Sequence, residues 1–173
     1  MSFSIKIGTI FSTNSLSIIP PVGLLGYGHI GKDIHNLLIK NDITTYTIDR
    51  GHEYNNISLV KDLKELINHT DIIICSLPKT IETNNLFDEE VFKLMQNKFI
   101  VNVGRSNVID EKALYDLLEN KKIGGAAIDT WEEKPKNKRT KLMPSSFSFH
   151  NLNNIILSPH AAMRVEDGHD RYV

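Results

Sequence analysis

The fold class of this chain is decided by the stretch Val22-Gly23-Leu24-Leu25-Gly26-Tyr27-Gly28-His29-Ile30-Gly31. The apolar run 22–25 predicts a short strand, which meets three glycines in the pattern G-x-G-x-x-G. Behind the glycines, apolar residues recur at helical spacing and predict a helix that buries one face: Ile30, Ile34, Leu37 and Leu38. A strand, a glycine turn and a helix in this order are typical of the first unit of a parallel α/β sheet.

Strands and helices continue to alternate along the chain. After a break at Asn41-Asp42, further strands are predicted over 43–48, 71–75, 99–103, 126–128 and 155–157. Helices are predicted around 63–67, over 88–95 and over 111–120, the last with Asp110 as its N-cap. This alternation predicts one α/β domain of the Rossmann type, a doubly wound parallel sheet with helices on both faces and ligands at the carboxyl ends of its strands.

Length and composition predict an ordinary soluble domain. The chain has 173 residues, 40% hydrophobic and 24% charged, and a formal net charge of −1. That charge balance gives no reason to expect nucleic acid or an anionic membrane as a partner. Neither a membrane span nor a secretory signal is recognisable, and a single cysteine suits a reducing compartment. We therefore expect a cytoplasmic protein, and no metal site is predicted.

One segment, Lys134 to Ser148, lacks apolar periodicity and carries five basic residues. It has two interpretations. A basic patch could bind phosphate or nucleic acid, whereas a solvated surface loop needs no ligand. Because the rest of the chain is not basic, we favour the solvated loop.

The three glycines have separate physical roles in a dinucleotide-binding turn. Gly26 permits the tight turn, Gly28 lets the backbone approach a pyrophosphate, and Gly31 lets the helix pack closely on the strand. The helix N-terminus then offers N–H groups and a partial positive charge to the phosphates. The strand before the glycines and the helix after them give this motif the context that it requires.

Asp49 ends the next strand, about twenty residues beyond the last glycine, where a carboxylate accepts hydrogen bonds from the adenosine ribose. A carboxylate there repels a 2′-phosphate and favours NAD over NADP. Arg50 weakens this preference, because a guanidinium can pair with that phosphate. The alternative for Asp49 is a turn residue without a ligand.

From Gly23 to about Ala162 the chain resembles the NAD-binding domain of the D-isomer-specific 2-hydroxyacid dehydrogenases, a family that includes phosphoglycerate and glycerate/hydroxypyruvate dehydrogenases. Four groups of residues carry the resemblance in the family's order. They are the block Gly23–Gly31, the block Cys75–Leu86, the block Phe99–Ser106 with Val108–Leu114 behind it, and the pair Gly125–Trp131 and Ile156–His160.

The resemblance implies roles for particular residues. Arg105 matches the arginine that holds the substrate carboxylate, and a planar, forked and permanently charged guanidinium suits that task. His160 matches the general acid–base, a role for which the ordinary pKa of histidine is suitable. The expected cofactor-binding positions are Tyr27, Gly28, His29, Ile30, Asp49, Arg50, Leu77, Pro78, Thr83, Val103, Gly104, Arg105, Asp129 and His160. The expected cofactor is NAD and the expected substrate a 2-hydroxy or 2-oxo acid, which the sequence does not identify further.

Two departures from the family pattern bear on the expected site and on the domain boundaries. The family has a glutamate directly before a proline to orient the catalytic histidine, whereas here Lys134 precedes Pro135, so Glu133 would have to serve instead. The family also carries a substrate domain, most of which precedes the glycine block. We therefore expect that domain to be largely absent and assign 1–20 to an N-terminal segment, 21–165 to the NAD-binding domain and 166–173 to a tail.

Several alternatives stay open at this level. Taken singly, Arg105 could be a surface charge and His160 a loop residue, while Cys75 and Trp131 are better explained by core packing. The chain could be a working dehydrogenase subunit, expected by resemblance to form a homodimer through this domain. It could instead be a non-catalytic NAD-binding module, a degenerate remnant acting as a regulator or partner subunit. A methyltransferase using the glycine loop for S-adenosylmethionine is disfavoured by the Arg105 and His160 blocks.

Overall fold

The computed structural model describes residues 19–51, 53–131 and 145–160. These residues form seven strands: β1 (Val22–Leu25), β2 (Thr45–Ile48), β3 (Ser58–Val60), β4 (Ile72–Cys75), β5 (Phe99–Asn102), β6 (Gly125–Ile128) and β7 (Ile155–Leu157). Four α-helices lie between them: α1 (His29–Ile39), α2 (Leu63–His69), α3 (Glu89–Lys93) and α4 (Glu111–Glu119). Short 3-10 helices occupy Ser106–Val108 and Phe149–Asn151.

The strands form one parallel sheet in the order β3-β2-β1-β4-β5-β6-β7. From β1 the chain moves through α1 towards β2, and from β3 it returns through α2 to β4 on the other side of β1. Because such crossovers are right-handed, α1 and α2 lie on opposite faces of the sheet. The predicted Rossmann-type sheet is therefore confirmed, and its switch point lies between β1 and β4.

Aspartates cap three of the four α-helices. The side chains of Asp62, Asp88 and Asp110 each accept a hydrogen bond from the backbone N–H three residues on, at the start of α2, α3 and α4. Such caps satisfy N–H groups that have no partner within the helix. The prediction for Asp110 is confirmed.

Aliphatic and aromatic side chains form one continuous core against the sheet. Ile73 and Cys75 of β4, Phe92 of α3 and Leu114 of α4 are almost fully buried within it. Trp131 is 6% exposed and packs on Phe149, with ring centroids 5.4 Å apart. Core packing thus accounts for Cys75 and Trp131, as the sequence predicted.

The predicted buried face of α1 is wrong in part. Ile30 and Leu37 are 43% and 63% exposed, whereas Gly31 and His35 are the buried residues of this helix. The reason is the close approach at Gly31, where an added Cβ would lie 2.1 Å from the Gly26 carbonyl oxygen. That contact turns the glycine side of the helix towards the sheet, rather than the apolar stripe.

Two further regions differ from expectation or lie outside the described residues. The edge strand β3 was not predicted. In the described end of the segment 134–148, Ser145 is buried and donates a hydrogen bond to Glu111 Oε2 (2.6 Å), whereas Ser146 and Ser148 are exposed, as expected for a solvated loop. Residues 134–144, with Lys134, fall outside the described residues, as do Glu133, residues 1–18 and residues 161–173.

Candidate functional site

The carboxyl ends of the strands bring most of the predicted site residues to one edge of the sheet. The glycine loop follows β1, and Asp49 follows β2. The loop 76–83 follows β4, and Arg105 lies three residues beyond β5. Asp129 follows β6 directly, and His160 lies three residues beyond β7. Because all strands are parallel, these six segments share one edge.

The glycine loop is shaped to leave room beside the start of α1. Gly26 has a φ of 103°, which favours glycine. Gly28 is the N-cap of α1, and a Cβ added there would meet nothing within 4 Å. No side chain caps the helix, and its first turn carries no acidic residue. The first-turn N–H groups and the open space at Gly28 therefore fit an anionic phosphate group.

Asp49 lies in a tight turn at the end of β2. Its Oδ1 accepts a hydrogen bond from the Gly51 N–H (2.9 Å), and its own N–H donates to the Val60 carbonyl of β3 (2.9 Å). The side chain is exposed at the sheet edge. The turn role considered for Asp49 is therefore present, and the residue stays exposed.

The loop after β4 is closed by its own hydroxyl groups and packs against the glycine loop. Thr83 Oγ1 donates to the Pro78 carbonyl (2.7 Å) and accepts from the Thr80 N–H (2.9 Å). Ser76 Oγ donates to the Gly26 carbonyl (3.2 Å) across the switch point. Pro78 and Thr83, both predicted site residues, are thus held in one compact turn next to the glycines.

Asn102, at the end of β5, orders the loop that carries Arg105. It is 1% exposed; its Oδ1 accepts from the Gly104 N–H (3.0 Å), and its Nδ2 donates to the Arg105 carbonyl (3.1 Å) and to Thr130 Oγ1 (3.4 Å). Gly104 lies against the neighbouring loop, where an added Cβ would be 2.5 Å from the Leu77 carbonyl oxygen. The Arg105 side chain is exposed, and its Nη1 donates to the Gly104 carbonyl (2.9 Å).

A second cluster of polar contacts holds the chain that leads from β7 to His160. Asp129 is 5% exposed, and its Oδ1 accepts a hydrogen bond from Ser158 Oγ. Trp131 Nε1 donates to the Ser158 carbonyl (3.0 Å). Ser158 is therefore held from two sides, while His160, two residues on, is exposed and has a φ of 56°.

Arg105 and His160 follow strands that are separated by β6 alone. Neighbouring strands lie about 4.8 Å apart, so the two loops leave the sheet roughly 10 Å from one another. The Arg105 and His160 side chains are long enough to reach into such a gap from its two sides, which would leave room for a small molecule between the guanidinium and the imidazole. Glu133 cannot be placed relative to them, since it lies outside the described residues.

Sequence reasoning missed the residues that hold this edge together. Asn102, Ser158 and Ser76 join loops through contacts across 28 to 50 residues of chain, which no local pattern reveals. One signal was available: Asn102 is a polar residue at the end of an otherwise apolar strand. A buried amide requires hydrogen-bond partners, and so marks a position where polar loops meet.

Other features of the described residues bear on the kind of site. A cavity of about 280 Å³ lies between α1 and residues 53–56, and Tyr27 of the glycine loop is among the residues that line it. No group of three or more potential metal ligands is found among residues 19–51, 53–131 and 145–160. In the same part of the chain, no helix has the length and apolar character needed to cross a membrane.

A family model described as "D-isomer specific 2-hydroxyacid dehydrogenase, NAD binding domain" matches residues 20–162. Among curated proteins, the chain is 34% identical over 145 residues to a probable 2-ketogluconate reductase of Dictyostelium discoideum, covering 80% of this chain and 41% of the relative. It is 30% identical over 142 residues to D-3-phosphoglycerate dehydrogenase of Haemophilus influenzae, covering 80% of this chain and 34% of that protein.

A solved structure with the same fold is an NADPH-dependent glyoxylate/hydroxypyruvate reductase of Sinorhizobium meliloti in complex with NADP and malonate. It superposes with a TM-score of 0.73 at 26% identity, over 90% of this chain and 47% of the reductase. The chain thus spans between a third and a half of the length of these proteins.

Proposed function

Because the chain belongs to the D-isomer specific 2-hydroxyacid dehydrogenase family, as its NAD-binding domain, we propose that it holds NAD for hydride exchange with a 2-hydroxy or 2-oxo acid. The observation that carries this proposal is the shared edge of the sheet, where the glycine loop, Asp49, Arg105, Asp129 and His160 all follow carboxyl ends of parallel strands. NAD supplies a nicotinamide that accepts or donates the hydride.

In the proposed site, each loop at the sheet edge would contact a different part of the cofactor. The uncapped first turn of α1 and the open space at Gly28 would bind the pyrophosphate. Asp49 would accept hydrogen bonds from the adenosine ribose and disfavour a 2′-phosphate, so we propose NAD rather than NADP. Pro78 and Thr83 would line the adenosine side, and Asp129 would lie near the nicotinamide carboxamide.

The substrate half rests on two exposed side chains. Arg105 would pair with the substrate carboxylate, after its guanidinium exchanges the Gly104 carbonyl for that stronger, charge-assisted partner. His160 would donate a proton to the substrate carbonyl oxygen during reduction and accept it from the hydroxyl during oxidation. Glu133 is proposed as the carboxylate that orients His160.

The test separates binding from turnover. NADH binding to the full chain is measured by fluorescence, and NADH oxidation is then assayed with glyoxylate, hydroxypyruvate and pyruvate. We expect binding that the replacement of Gly28 by a bulky residue abolishes. We also expect turnover that falls by about 100-fold or more in Arg105→Ala and His160→Ala, since each removes a group used in the reaction. Binding without turnover in the wild-type chain, unchanged by Arg105→Ala, would reject the catalytic half.

A second candidate function is a non-catalytic NAD-binding module. One sequence feature favours it: Lys134 stands directly before Pro135, where the family has the glutamate that orients the histidine. A cation near His160 would favour the neutral imidazole and weaken it as an acid. If Lys134→Glu produces turnover that the wild-type chain lacks, this second function describes the natural protein.

For assembly and location we propose a homodimer through this domain, acting in the cytoplasm on a small-molecule substrate. Light scattering coupled to gel filtration tests the dimer, since it measures the mass of the particle directly. A particle with the mass of one chain at micromolar concentration would reject it.

A further inference from the structure

Asp49 is held in place by a residue that belongs to no motif. Tyr54 Oη accepts a hydrogen bond from the Arg50 N–H (2.8 Å) and donates one to the Ile48 carbonyl (3.3 Å). The phenol therefore bridges the residues on both sides of Asp49. Within the same turn, the Asp49 carboxylate accepts from the Gly51 N–H. The position of this carboxylate thus depends on a side chain five residues away.

Tyr54 is itself anchored to the glycine loop and to α1. Its ring lies 5.2 Å from the ring of Tyr27, between Gly26 and Gly28. The next residue, Asn55, presents its carbonyl to His35 Nε2 at 2.8 Å, and His35 is 2% exposed. His35 Nδ1 lies 2.8 Å from Thr45 Oγ1 at the start of β2. These contacts make a continuous path from α1 to the turn that carries Asp49.

The Tyr27 ring completes this path on the glycine side. It meets the His35 ring edge-on, with centroids 5.6 Å apart. Burial raises the pKa of the Tyr27 phenol above its ordinary value, while a hydrogen bond with the Asn55 backbone opposes that shift. Both sides of the adenosine half of the crevice are thus fixed to the same small cluster, Tyr27, His35 and Tyr54.

We propose that Tyr54 is a positioning residue for the adenosine ribose: its hydroxyl fixes the backbone on both sides of Asp49 and so places the carboxylate where it meets the ribose 2′-hydroxyl. This inference rests on the proposed role of Asp49 in binding NAD. It adds a residue that acts through Asp49 and that the glycine fingerprint and the acidic residue do not predict.

The test compares two ligands in three proteins. The ligands are NADH and the reduced dinucleotide whose adenosine lacks the 2′-hydroxyl, and the proteins are the wild-type chain, Tyr54→Phe and Tyr115→Phe. Tyr54→Phe keeps the ring contact with Tyr27 and removes only the hydroxyl. Tyr115→Phe is the matched control, because its hydroxyl donates to Glu119 on α4, away from the crevice. The measured quantity is the ratio of the two dissociation constants.

We expect the missing 2′-hydroxyl to weaken binding to wild type and to Tyr115→Phe about tenfold, as the loss of a hydrogen bond to a charged group does. In Tyr54→Phe this ratio should fall below about threefold, and NADH itself should bind several-fold more weakly. A general loss of stability would weaken both ligands equally and leave the ratio unchanged.

Two results would overturn the inference, and they differ in meaning. A Tyr54→Phe ratio equal to that of the wild type shows that Asp49 keeps its place without the phenol, while its ribose role survives. A wild-type ratio near one removes the ribose role of Asp49 itself, and the role of Tyr54 with it. Amide exchange of Arg50 is an independent measurement, since the inference requires protection in the wild-type chain and faster exchange in Tyr54→Phe.

Discussion

Replacing Gly31 by alanine tests how tightly α1 is joined to the sheet. The added Cβ would lie 2.1 Å from the Gly26 carbonyl oxygen and 3.0 Å from its carbon, and both are backbone atoms. An ordinary contact begins near 3.4 Å, so the start of α1 and the end of β1 must separate by about 1.3 Å. Strain of this kind in a packed interior costs about 3 kcal/mol.

That free-energy cost predicts a measurable fall in the melting temperature. For a domain of this size, each kcal/mol lowers Tm by about 2–4 °C, so Gly31→Ala should melt about 6–12 °C below the wild-type chain. The assay is thermal unfolding followed by circular dichroism, with urea unfolding as a second measurement. Binding of NADH should weaken as well, because the helix N-terminus moves away from Gly26.

Gly28→Ala is the matched control, since it adds the same methyl group three residues earlier in the same loop. Nothing lies within 4 Å of its added Cβ, and Gly28 has a φ of −77° that alanine adopts. Its stability should change by less than about 1 kcal/mol. The methyl group would instead occupy the space of the pyrophosphate and weaken NADH binding at least tenfold, which is about 1.4 kcal/mol. Equal melting of Gly31→Ala and wild type, or wild-type NADH affinity in Gly28→Ala, would refute this division of roles.

Three further predictions concern Asn102, Ser158 and Cys75. Asn102→Leu should lose about 2–4 kcal/mol in urea unfolding, because it leaves the Gly104 N–H and Thr130 without their partner, whereas the exposed Asn120→Leu should lose under about 1 kcal/mol. Ser158→Ala should destabilise by about 1–3 kcal/mol through the buried Asp129 carboxylate, and an unchanged urea midpoint would contradict the Asp129 contact. Burial raises the pKa of the Cys75 thiol to about 11, against 9.0 when unfolded, so the unfolded chain releases this proton first and stability falls as pH rises from 9 to 11. The shift in the pKa corresponds to about 2–3 kcal/mol of stability lost between these two pH values. The urea midpoint, measured against pH, should fall by this additional amount in the wild-type chain and not in Cys75→Ala.

Most of the sheet could be predicted because its strands are short apolar runs bounded by turns. Residues 72–75 and 99–102 carry that signal within four residues each. The edge strand β3 carries none, since Ser58 and Leu59 are exposed and only Val60 is buried. The prediction of the buried face of α1 was wrong in part because it used only the spacing of the apolar residues. The close contact of Gly31 with the Gly26 carbonyl determines which face of the helix lies against the sheet.

Residues of the candidate site could likewise be predicted where their role depends on nearby residues in the chain, and not where it depends on distant ones. The glycine turn and Asp49 were predicted because each role depends on residues close by in the chain. Asn102, Ser158 and Tyr54 were missed because they are polar groups whose partners depend on the folded arrangement of loops. Buried polar groups need partners, and at this edge the partners come from neighbouring loops.

These contacts hold the loops of the crevice, but they do not hold every side chain that the loops carry. On the cofactor side, each loop is tied to its neighbour: Ser76 to Gly26, Gly104 to Leu77, and Asn102 to Thr130. In the proposed function, NAD would meet loops that these contacts already order, so its binding should cost little ordering entropy. The Arg105 and His160 side chains are instead exposed, and in the proposed function Arg105 would exchange the Gly104 carbonyl for the substrate carboxylate. We therefore expect Arg105→Ala and His160→Ala to reduce substrate turnover more than they reduce NADH binding.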